Sequence, residues 1–196
     1  DMDWTVHALV ADETHVSARW EIHATFSGDF AGVFVVWART GEEGTKGISC
    51  FLVDGDAPGL TVGKHEEKMG LRGSSTTALH FEGVRVPASA LLGQLGGGFK
   101  IAMMALDGGR IGIASQALGI GEAALREGIS YAKDRRTFGE PIANRQAIQW
   151  MIADSRTELD AARLLTMRAA CMKESGVRFS RQAAMAKAYA SGSAWK

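Results

Sequence analysis

The hydrophobic pattern of the chain changes period at Pro87, and this change limits the folds that the chain can form. Before it, short runs rich in β-branched and aromatic residues, at 33–37 and 48–53, are bounded by turn-forming residues, and residues 78–82 alternate apolar with polar. Such runs are typical of strands. The turns between them are too short for crossover helices, so the sequence predicts an antiparallel sheet over about the first 90 residues.

After Pro87 apolar residues recur every three or four positions, which is the spacing of amphipathic helices. Three glycines at 96–98 precede a first helical stretch, and the Asp-Gly-Gly-Arg segment at 107–110 interrupts it. Because each glycine costs a helix interior roughly 1 kcal/mol, we expect two helices that meet at a bend here. A loop over 136–141, a long amphipathic helix over about 143–173, an end at Gly176 and a last helix from near Ser180 complete the pattern. These elements predict part of an antiparallel bundle.

The sequence therefore predicts an α+β chain in two parts, an antiparallel β domain over residues 1–92 and a helical part over 93–196. The 196 residues include 22 basic and 22 acidic side chains. Residues 1–130 carry 10 basic and 16 acidic residues, and the remainder carry 12 and 6, so the zero net charge is a split of −6 and +6. This asymmetry is compatible with an anion-binding half or with an acidic half packed on a basic half, and by itself it favours neither explanation.

Composition and patterning exclude several classes of protein. The longest weakly polar stretch, at 111–125, is interrupted by Ser115, Gln116 and Glu122, which excludes a membrane-spanning helix there. Cys50 and Cys171 give no disulfide framework and favour a reducing compartment. The basic half lacks the aromatic interleaving of a nucleic-acid-binding surface, so neither a nucleic acid nor a membrane is expected as a partner. The chain begins without Met and ends within a helical pattern, so we expect it to be a piece of a longer polypeptide.

Two motifs have a structural interpretation. Gly119-Ile-Gly121 matches half of a dinucleotide fingerprint, but it lies inside a helical stretch and not between a strand and a helix, so we interpret it as a helix-packing motif. The five histidines all fall in the β half, without thiol or acidic residues at ligand spacing, so no metal site is predicted.

Asp107, Gly108, Gly109 and Arg110 form the first candidate binding segment. An acid and a base three positions apart form an intrahelical ion pair that contributes about 0.2–0.5 kcal/mol. The two glycines also allow a ligand to approach the backbone closely, so the same pair is suited to grip a polar, nucleotide-bearing substrate. The spacing alone favours neither the intrahelical ion pair nor the ligand-binding pair.

The second candidate segment closes the first helical stretch with Arg135, Arg136, Thr137 and Phe138. Arginines at a helix C-terminus are favourable through the helix dipole alone. A guanidinium group also forms bidentate contacts with phosphate, and Phe138 is suited to lie against a flat ring. Gln146 is expected in the first turn of the next helix, close to the same loop. From these residues alone, the helix-dipole interpretation is at least as strong as the interpretation that they bind a phosphate and a flat ring.

Several motifs in matching order make the chain resemble the acyl-CoA dehydrogenase family over residues 30–196. The Gly-Ser-Ser-Thr and Ile-Gly-Ile-Ala-Ser-Gln-Ala-Leu-Gly segments are most similar to those of the short-chain, butyryl-CoA members. The segments that carry the resemblance are 47–53 (GISCFLV), 68–76 (KMGLRGSST), 81–87 (FEGVRVP), 98–103 (GFKIAM), 106–119 (LDGGRIGIASQALG) and 136–139 (RTFG).

The resemblance implies a protein of three domains. This chain would supply the β middle domain over 1–92, atypical over residues 1–29, and the first part of the C-terminal helical bundle over 93–196. The family resemblance further implies a homotetrameric flavoprotein oxidoreductase of fatty acid metabolism that binds FAD and passes electrons to electron-transferring flavoprotein. The location that it implies is the bacterial cytoplasm or the mitochondrial matrix.

The resemblance also assigns roles to the two candidate segments. Arg135 matches the arginine that contacts FAD phosphates, and Phe138 matches the neighbouring aromatic residue. Segment 107–110 matches the part of the family that contacts the acyl-CoA, so Asp107, Gly108, Gly109 and Arg110 are the implied substrate-binding residues. The implied cofactor-binding residues are Arg135, Thr137, Phe138 and Gln146.

The reaction that the resemblance implies is α,β-dehydrogenation of a short-chain acyl-CoA thioester. A carboxylate removes the α-proton while the β-hydrogen leaves as hydride to the flavin, and hydrogen bonds to the thioester carbonyl stabilise the developing enolate charge. Some members carry the base as a glutamate directly before the arginine that matches Arg110, but this sequence has Gly109 there. The base is therefore expected beyond Lys196, and no residue of this chain is predicted to be catalytic.

One segment departs from the family pattern. The family's middle domain carries Gly-x-Lys followed by a Trp-Ile-Ser/Thr segment against the flavin, whereas residues 18–28 read ARWEIHATFSG. No flavin contact is therefore predicted from this half. The departure and the missing base favour one alternative, a non-catalytic remnant of the fold that assembles with or binds a partner. A second alternative, a dehydrogenase of another short or branched acyl-CoA, stays open because pocket width decides it.

Overall fold

The chain divides into two compact units, Asp1–Ala102 and Met103–Lys196. The computed structural model describes the backbone of residues 5–11, 15–25 and 32–196, and the side chains of residues 32–196. Antiparallel sheets occupy the first unit and helices dominate the second, which confirms the α+β prediction. The boundary expected between residues 92 and 93 stays a prediction.

The described strands of the first unit pair only in antiparallel fashion. Four of them form a sheet in the order β1-β2-β6-β5 and three form a sheet in the order β3-β4-β7. The strands predicted at 33–37 and 48–53 are β3 and β4, and the alternating run at 78–82 is part of a longer strand, β6. The bounds are β1 Thr5–Ala11, β2 His15–Thr25, β3 Val33–Arg39, β4 Ile48–Asp54, β5 Leu60–His65, β6 Thr76–Pro87 and β7 Leu91–Leu92.

The core of the first unit follows from the alternation of side chains along the strands. Phe34, Val36 and Ala38 occupy every second position of β3, and all three are buried. Successive strand residues point to opposite faces, so these side chains share one face. They pack in a single cluster with Phe51, Val53, Leu79, Phe81 and Val84.

A small polar junction fixes the beginning of the first helix within this unit. The indole Nε1 of Trp37 donates to the carbonyl of Gly98 at 3.0 Å, and the hydroxyl oxygen of Ser49 accepts the Gly96 N–H at 2.9 Å. A Cβ added at Gly98 would lie 2.5 Å from the carbonyl carbon of Ser49. Residue 98 is therefore limited to glycine by close approach of two backbones.

The second unit contains most of α1 (Gly98–Asp134), and all of α2 (Gln146–Glu174) and α3 (Ser180–Trp195). The expected break at 107–110 was wrong, because α1 is one uninterrupted helix of 37 residues. Gly108 and Gly109 do not adopt positive φ angles. Their propensity cost is local, whereas burial of other α1 residues along the same helix, such as Ala114 and Leu118, stabilises the whole element. None of the described helices is both long and apolar enough to cross a membrane.

The α2 helix and its end agree with the sequence pattern. Its apolar stripe includes Leu159, Ala162 and Ala169, which are buried. The helix ends at Glu174, and Gly176 follows with a φ of 70°. The N–H groups of Gly176 and Val177 donate to the carbonyls of Lys173 and Met172, both at 3.1 Å, which is the hydrogen-bond pattern of a Schellman motif.

Small residues allow the three helices to approach closely. The buried cluster of the second unit joins Ala114 and Leu118 of α1 to residues of α2 and α3. A Cβ added at Gly121 would lie 2.7 Å from Cδ2 of Leu159, which is itself buried, and 3.5 Å from Ala194. The helix-packing interpretation is therefore confirmed at Gly121, whereas a Cβ at Gly119 would meet nothing within 4 Å.

An ion-pair network crosses from α1 to α2. The carboxylate of Glu122 accepts from Arg163 at 2.5 Å and from Arg156 at 3.0 Å, and Arg156 also contacts Asp160 at 2.8 Å. The hydrogen bond from Arg163, together with the positive charge of Arg156, lowers the pKa of the Glu122 carboxyl below its ordinary value.

The two glycines of the Gly-Ile-Gly motif predict opposite responses to alanine. We expect Gly119→Ala to raise the free energy of unfolding by about 1 kcal/mol, because alanine is the better helix former and the site is open. Gly121→Ala forces the buried Leu159 side chain to move, so it should be less stable than Gly119→Ala by roughly 1–3 kcal/mol. Urea unfolding of both variants measures the difference, and equal stability of the two would contradict the packing role of Gly121.

The Glu122 network predicts a pH-dependent contribution to stability. Because the folded pKa lies below the unfolded pKa, the contribution is present above the ordinary glutamate pKa of about 4.3 and is lost as the pH falls through the folded pKa. The difference in unfolding free energy between the wild type and Glu122→Gln should therefore shrink as the pH is lowered from 7 to about 3. The control is Glu174→Gln at the end of α2, and a Glu122→Gln difference that is constant with pH would refute the prediction.

Candidate functional site

The segment that follows α1 is a minimal β-hairpin, although the sequence pattern predicted a loop. Strands β8 (Arg136–Thr137) and β9 (Glu140–Pro141) pair in antiparallel fashion. The two turn residues, Phe138 and Gly139, have φ angles of 54° and 88°. Positive φ at both central positions is typical of the type I′ turn, whose twist matches that of the strands it joins. The turn projects the Phe138 ring from the surface, where the residue is 97% exposed.

Arg145, directly before α2, holds this hairpin in place. Its Nε and Nη2 atoms donate to the hydroxyl oxygen of Thr137 at 3.2 and 2.8 Å, and Nη2 also donates to the Thr137 carbonyl at 3.0 Å. The guanidinium carbon lies 5.2 Å from the centroid of the Phe138 ring, within cation–π distance. The sequence patterns did not indicate Arg145, because only the hairpin geometry brings it to Thr137.

The structure brings the four predicted cofactor-binding residues onto one small module, residues 135–146, which we call the hairpin module. Arg135 is the first residue after α1, its carbonyl accepts the N–H of Ile142 at 2.9 Å, and its side chain is exposed. Thr137 is half-buried on β8, and Gln146 is the exposed first residue of α2. Within the described residues, the Arg135 guanidinium makes no hydrogen bond or ion pair.

The donor set of the hairpin module suits an anionic ligand that also carries a flat ring. Arg135 offers an exposed guanidinium group, and Thr137 offers a hydroxyl group. Both are good partners for phosphate oxygens. The exposed ring of Phe138 offers a surface for aromatic stacking. These residues fit the phosphates and the ring systems of a dinucleotide such as FAD.

The predicted substrate segment lies on α1 and is joined to α3. Arg110 Nη1 contacts Oδ1 of Asp107 at 2.5 Å, and the hydroxyl of Ser180 donates to Oδ2 of the same carboxylate. The Asp107 side chain is 17% exposed and that of Arg110 is 38% exposed. The intrahelical ion pair is thus present, and Ser180, which the sequence patterns did not indicate, ties it to the first residue of α3. The binding role of this segment stays a prediction.

Gly108 and Gly109 differ in what surrounds them. A Cβ at Gly108 would lie 3.4 Å from the Nζ atom of Lys173 on α2, whereas a Cβ at Gly109 would meet nothing within 4 Å. Gly109 is therefore an open position on the surface of α1, and the ammonium group of Lys173 adds positive charge beside Gly108. Open backbone with nearby donors is suited to close approach by a polar ligand.

Two further predictions concern the β half. The side chains of residues 18–28, where the family's flavin-facing pattern is altered, lie outside the described residues, although the backbone of 18–25 belongs to β2. Among residues 32–196, no group of three or more histidine, cysteine or acidic side chains converges in a way that could hold a metal ion.

The sequence matches two family models. Residues 4–84 match the middle domain of acyl-CoA dehydrogenase, and residues 96–196 match its C-terminal domain. Together they cover most of the chain.

Individual relatives are 44–53% identical to this chain over the matched regions. The mitochondrial short-chain specific acyl-CoA dehydrogenase of Bos taurus is 53% identical over 165 residues, covering 84% of this chain and 40% of the relative. The cyclohexane-1-carbonyl-CoA dehydrogenase of Geobacter metallireducens is 48% identical over 168 residues, covering 86% of this chain and 44% of the relative. The solved structure of butyryl-CoA dehydrogenase from Megasphaera elsdenii superposes with a TM-score of 0.88 at 44% identity, covering 91% of this chain and 47% of that chain. The chain thus spans less than half the length of each of these relatives.

Proposed function

The chain belongs to the acyl-CoA dehydrogenase family, and from that premise we propose that the full-length protein catalyses FAD-dependent α,β-dehydrogenation of a short-chain acyl-CoA thioester. The observation that carries the proposal is the 53% identity with a short-chain specific acyl-CoA dehydrogenase over 165 residues. The donor set of the hairpin module supports it independently, because it suits a dinucleotide.

In this proposal the hairpin module holds FAD. Arg135 contacts the phosphates with its exposed guanidinium, and the Thr137 hydroxyl donates a hydrogen bond to a phosphate oxygen. Phe138 lies against a flat ring of the cofactor, and Gln146 contacts the cofactor from the start of α2. The bound flavin supplies the hydride acceptor that amino-acid side chains lack.

The segment 107–110 binds the acyl-CoA in this proposal. Both carboxylate oxygens of Asp107 already accept hydrogen bonds, from Arg110 and from Ser180. Asp107 therefore acts as an anchor that holds the guanidinium of Arg110, which has five N–H donors and uses one of them here. The remaining donors of Arg110 are directed to polar groups of the substrate, and open Gly109 allows the substrate to approach.

The general base and the electron acceptor lie outside this chain in the proposal. Gly109 leaves the position before Arg110 without a carboxylate, so we assign the base to a residue beyond Lys196. Electron-transferring flavoprotein is the proposed acceptor, a homotetramer the proposed assembly, and the bacterial cytoplasm or the mitochondrial matrix the proposed location. The mitochondrial location of the Bos taurus relative supports the second of these locations.

The proposed function predicts that purified full-length protein contains FAD and loses its flavin absorbance on anaerobic addition of butyryl-CoA. Arg135→Ala should lose most of its flavin while the circular dichroism spectrum stays that of the folded protein, because the lost group binds phosphate and has no partner among the described residues. Flavin content is measured by absorbance after denaturation. Full-length protein that is colourless and cannot be reconstituted with FAD would favour the non-catalytic alternative. An unchanged flavin content in Arg135→Ala would show that Arg135 does not bind the cofactor and only interacts with the dipole at the end of α1.

A second candidate substrate class is favoured by the 48% identity with a cyclohexane-1-carbonyl-CoA dehydrogenase. If the substrate is a short linear acyl-CoA, kcat/KM for butyryl-CoA should exceed that for cyclohexane-1-carbonyl-CoA by about 10-fold or more, since each misplaced methylene costs roughly 1–3 kcal/mol. Measuring both substrates with the same artificial electron acceptor gives the ratio. A ratio below 1 would assign the protein to the second class.

A further inference from the structure

The hydroxyl of Thr137 has an unusual set of partners. A threonine hydroxyl has two acceptor lone pairs and one donor proton. The Nε and Nη2 atoms of Arg145 both donate to this oxygen, at 3.2 and 2.8 Å. Both lone pairs are therefore used within the hairpin module, and the proton is the one part of the group that Arg145 does not engage.

This arrangement makes the Thr137 hydroxyl a donor only. A hydroxyl with available lone pairs can rotate and accept from a donor as readily as it donates. With both acceptor sites occupied by a cation, its proton is directed away from Arg145, and the adjacent positive charge makes the O–H group a stronger donor. Phosphate oxygens accept and do not donate at neutral pH, so they match such a group.

The same guanidinium group also lies over the Phe138 ring. Its carbon lies 5.2 Å from the ring centroid, so it occupies one face of the ring. Phe138 is 97% exposed and has a φ of 54°, a backbone conformation that is costly for a bulky residue and that persists where surrounding contacts hold it. The opposite face of the ring is thereby presented outward.

We propose that Arg145 is a positioning residue for FAD, which acts through Thr137 and Phe138. It occupies both lone pairs of the Thr137 hydroxyl so that only the proton faces a cofactor phosphate, and it lies over one face of the Phe138 ring so that the other face is presented for stacking. This inference depends on the proposed function, since it assumes that the hairpin module binds FAD. Lysine cannot replace Arg145, because an ammonium group lacks the planar fork whose Nε and Nη2 atoms both donate to the Thr137 hydroxyl oxygen.

Titration of FAD into the full-length apoprotein tests the inference. We expect Arg145→Ala, Arg145→Lys and Thr137→Val each to weaken FAD binding about 10-fold or more, the effect of one lost hydrogen bond to a charged group. The double variant Arg145→Ala/Thr137→Val should be little weaker than Thr137→Val alone, because Arg145 acts largely through that hydroxyl. The matched control is Arg168→Ala, which removes an equal charge from an exposed position of α2 outside the hairpin module and should leave FAD affinity unchanged.

Thermal unfolding separates positioning from a merely structural role. In the Thr137→Val and Arg145→Lys variants the Tm of the apoprotein should stay close to that of the wild type, while the rise in Tm on adding FAD should become smaller. A lower apoprotein Tm with unchanged FAD affinity would show that Arg145 only stabilises the hairpin and would overturn the inference.

The outcomes also distinguish this inference from the proposed function. FAD binding that is lost in Arg135→Ala but unchanged in Thr137→Val and in both Arg145 variants would overturn the inference and leave the proposed function intact. Full-length protein that binds no FAD would overturn both.

Discussion

Close contact between helices through alanine and glycine is the constraint on which the helical unit depends. Ala162, Ala169, Ala186 and Ala190 are fully buried where α2 and α3 pack, and Gly121 leaves no space for a Cβ beside Leu159. Small side chains lower the loss of rotamer freedom on folding and allow the backbones to approach. The long α1 helix is continuous through two adjacent glycines because this packing stabilises it along its length. Both candidate segments depend on that continuity, since one lies on α1 and the other begins where α1 ends.

The two candidate segments share a principle of charge. In each, an arginine occupies the acceptor atoms of a neighbouring side chain: Arg110 contacts the Asp107 carboxylate and Arg145 contacts the Thr137 hydroxyl. The acceptor atoms of Asp107 and Thr137 are satisfied within the protein, and Arg110, Arg135 and the Thr137 hydroxyl offer a ligand donors and positive charge. Both proposed ligands, FAD and acyl-CoA, carry several phosphates, which are acceptors. The positive charge excess of residues 131–196 has a local role in this scheme at Arg135 and Arg145.

Local composition and periodicity predicted three of the elements. Strands β3 and β4 are short runs rich in β-branched and aromatic residues, and helix α2 carries an apolar stripe at helical spacing, so their existence and approximate bounds could be read from the residues. The break expected at Gly108 and Gly109 was wrong because local propensity does not include the packing of the rest of the helix. The hairpin after α1 was missed because Phe-Gly lacks the Asn-Gly or Asp-Gly signal of a type I′ turn.

The candidate site was predictable only where its residues are close together in the sequence. Arg135, Thr137, Phe138 and Gln146 are close in sequence, so a short module could bring them together without knowledge of the tertiary fold. Ser180 and Asp107 are 73 residues apart, and only the packing of α3 on α1 joins them. Arg145 is eight residues from Thr137, and its contact arises from a two-residue turn that no periodic rule describes. Contacts of this kind depend on the fold and not on spacing.

The hydrogen bond from the Trp37 indole to the Gly98 carbonyl gives the β unit an internal spectroscopic marker. An indole N–H that donates to a backbone carbonyl in a half-buried position exchanges slowly with solvent for as long as the contact persists. Its proton resonance therefore reports whether the first turn of α1 is seated on β3.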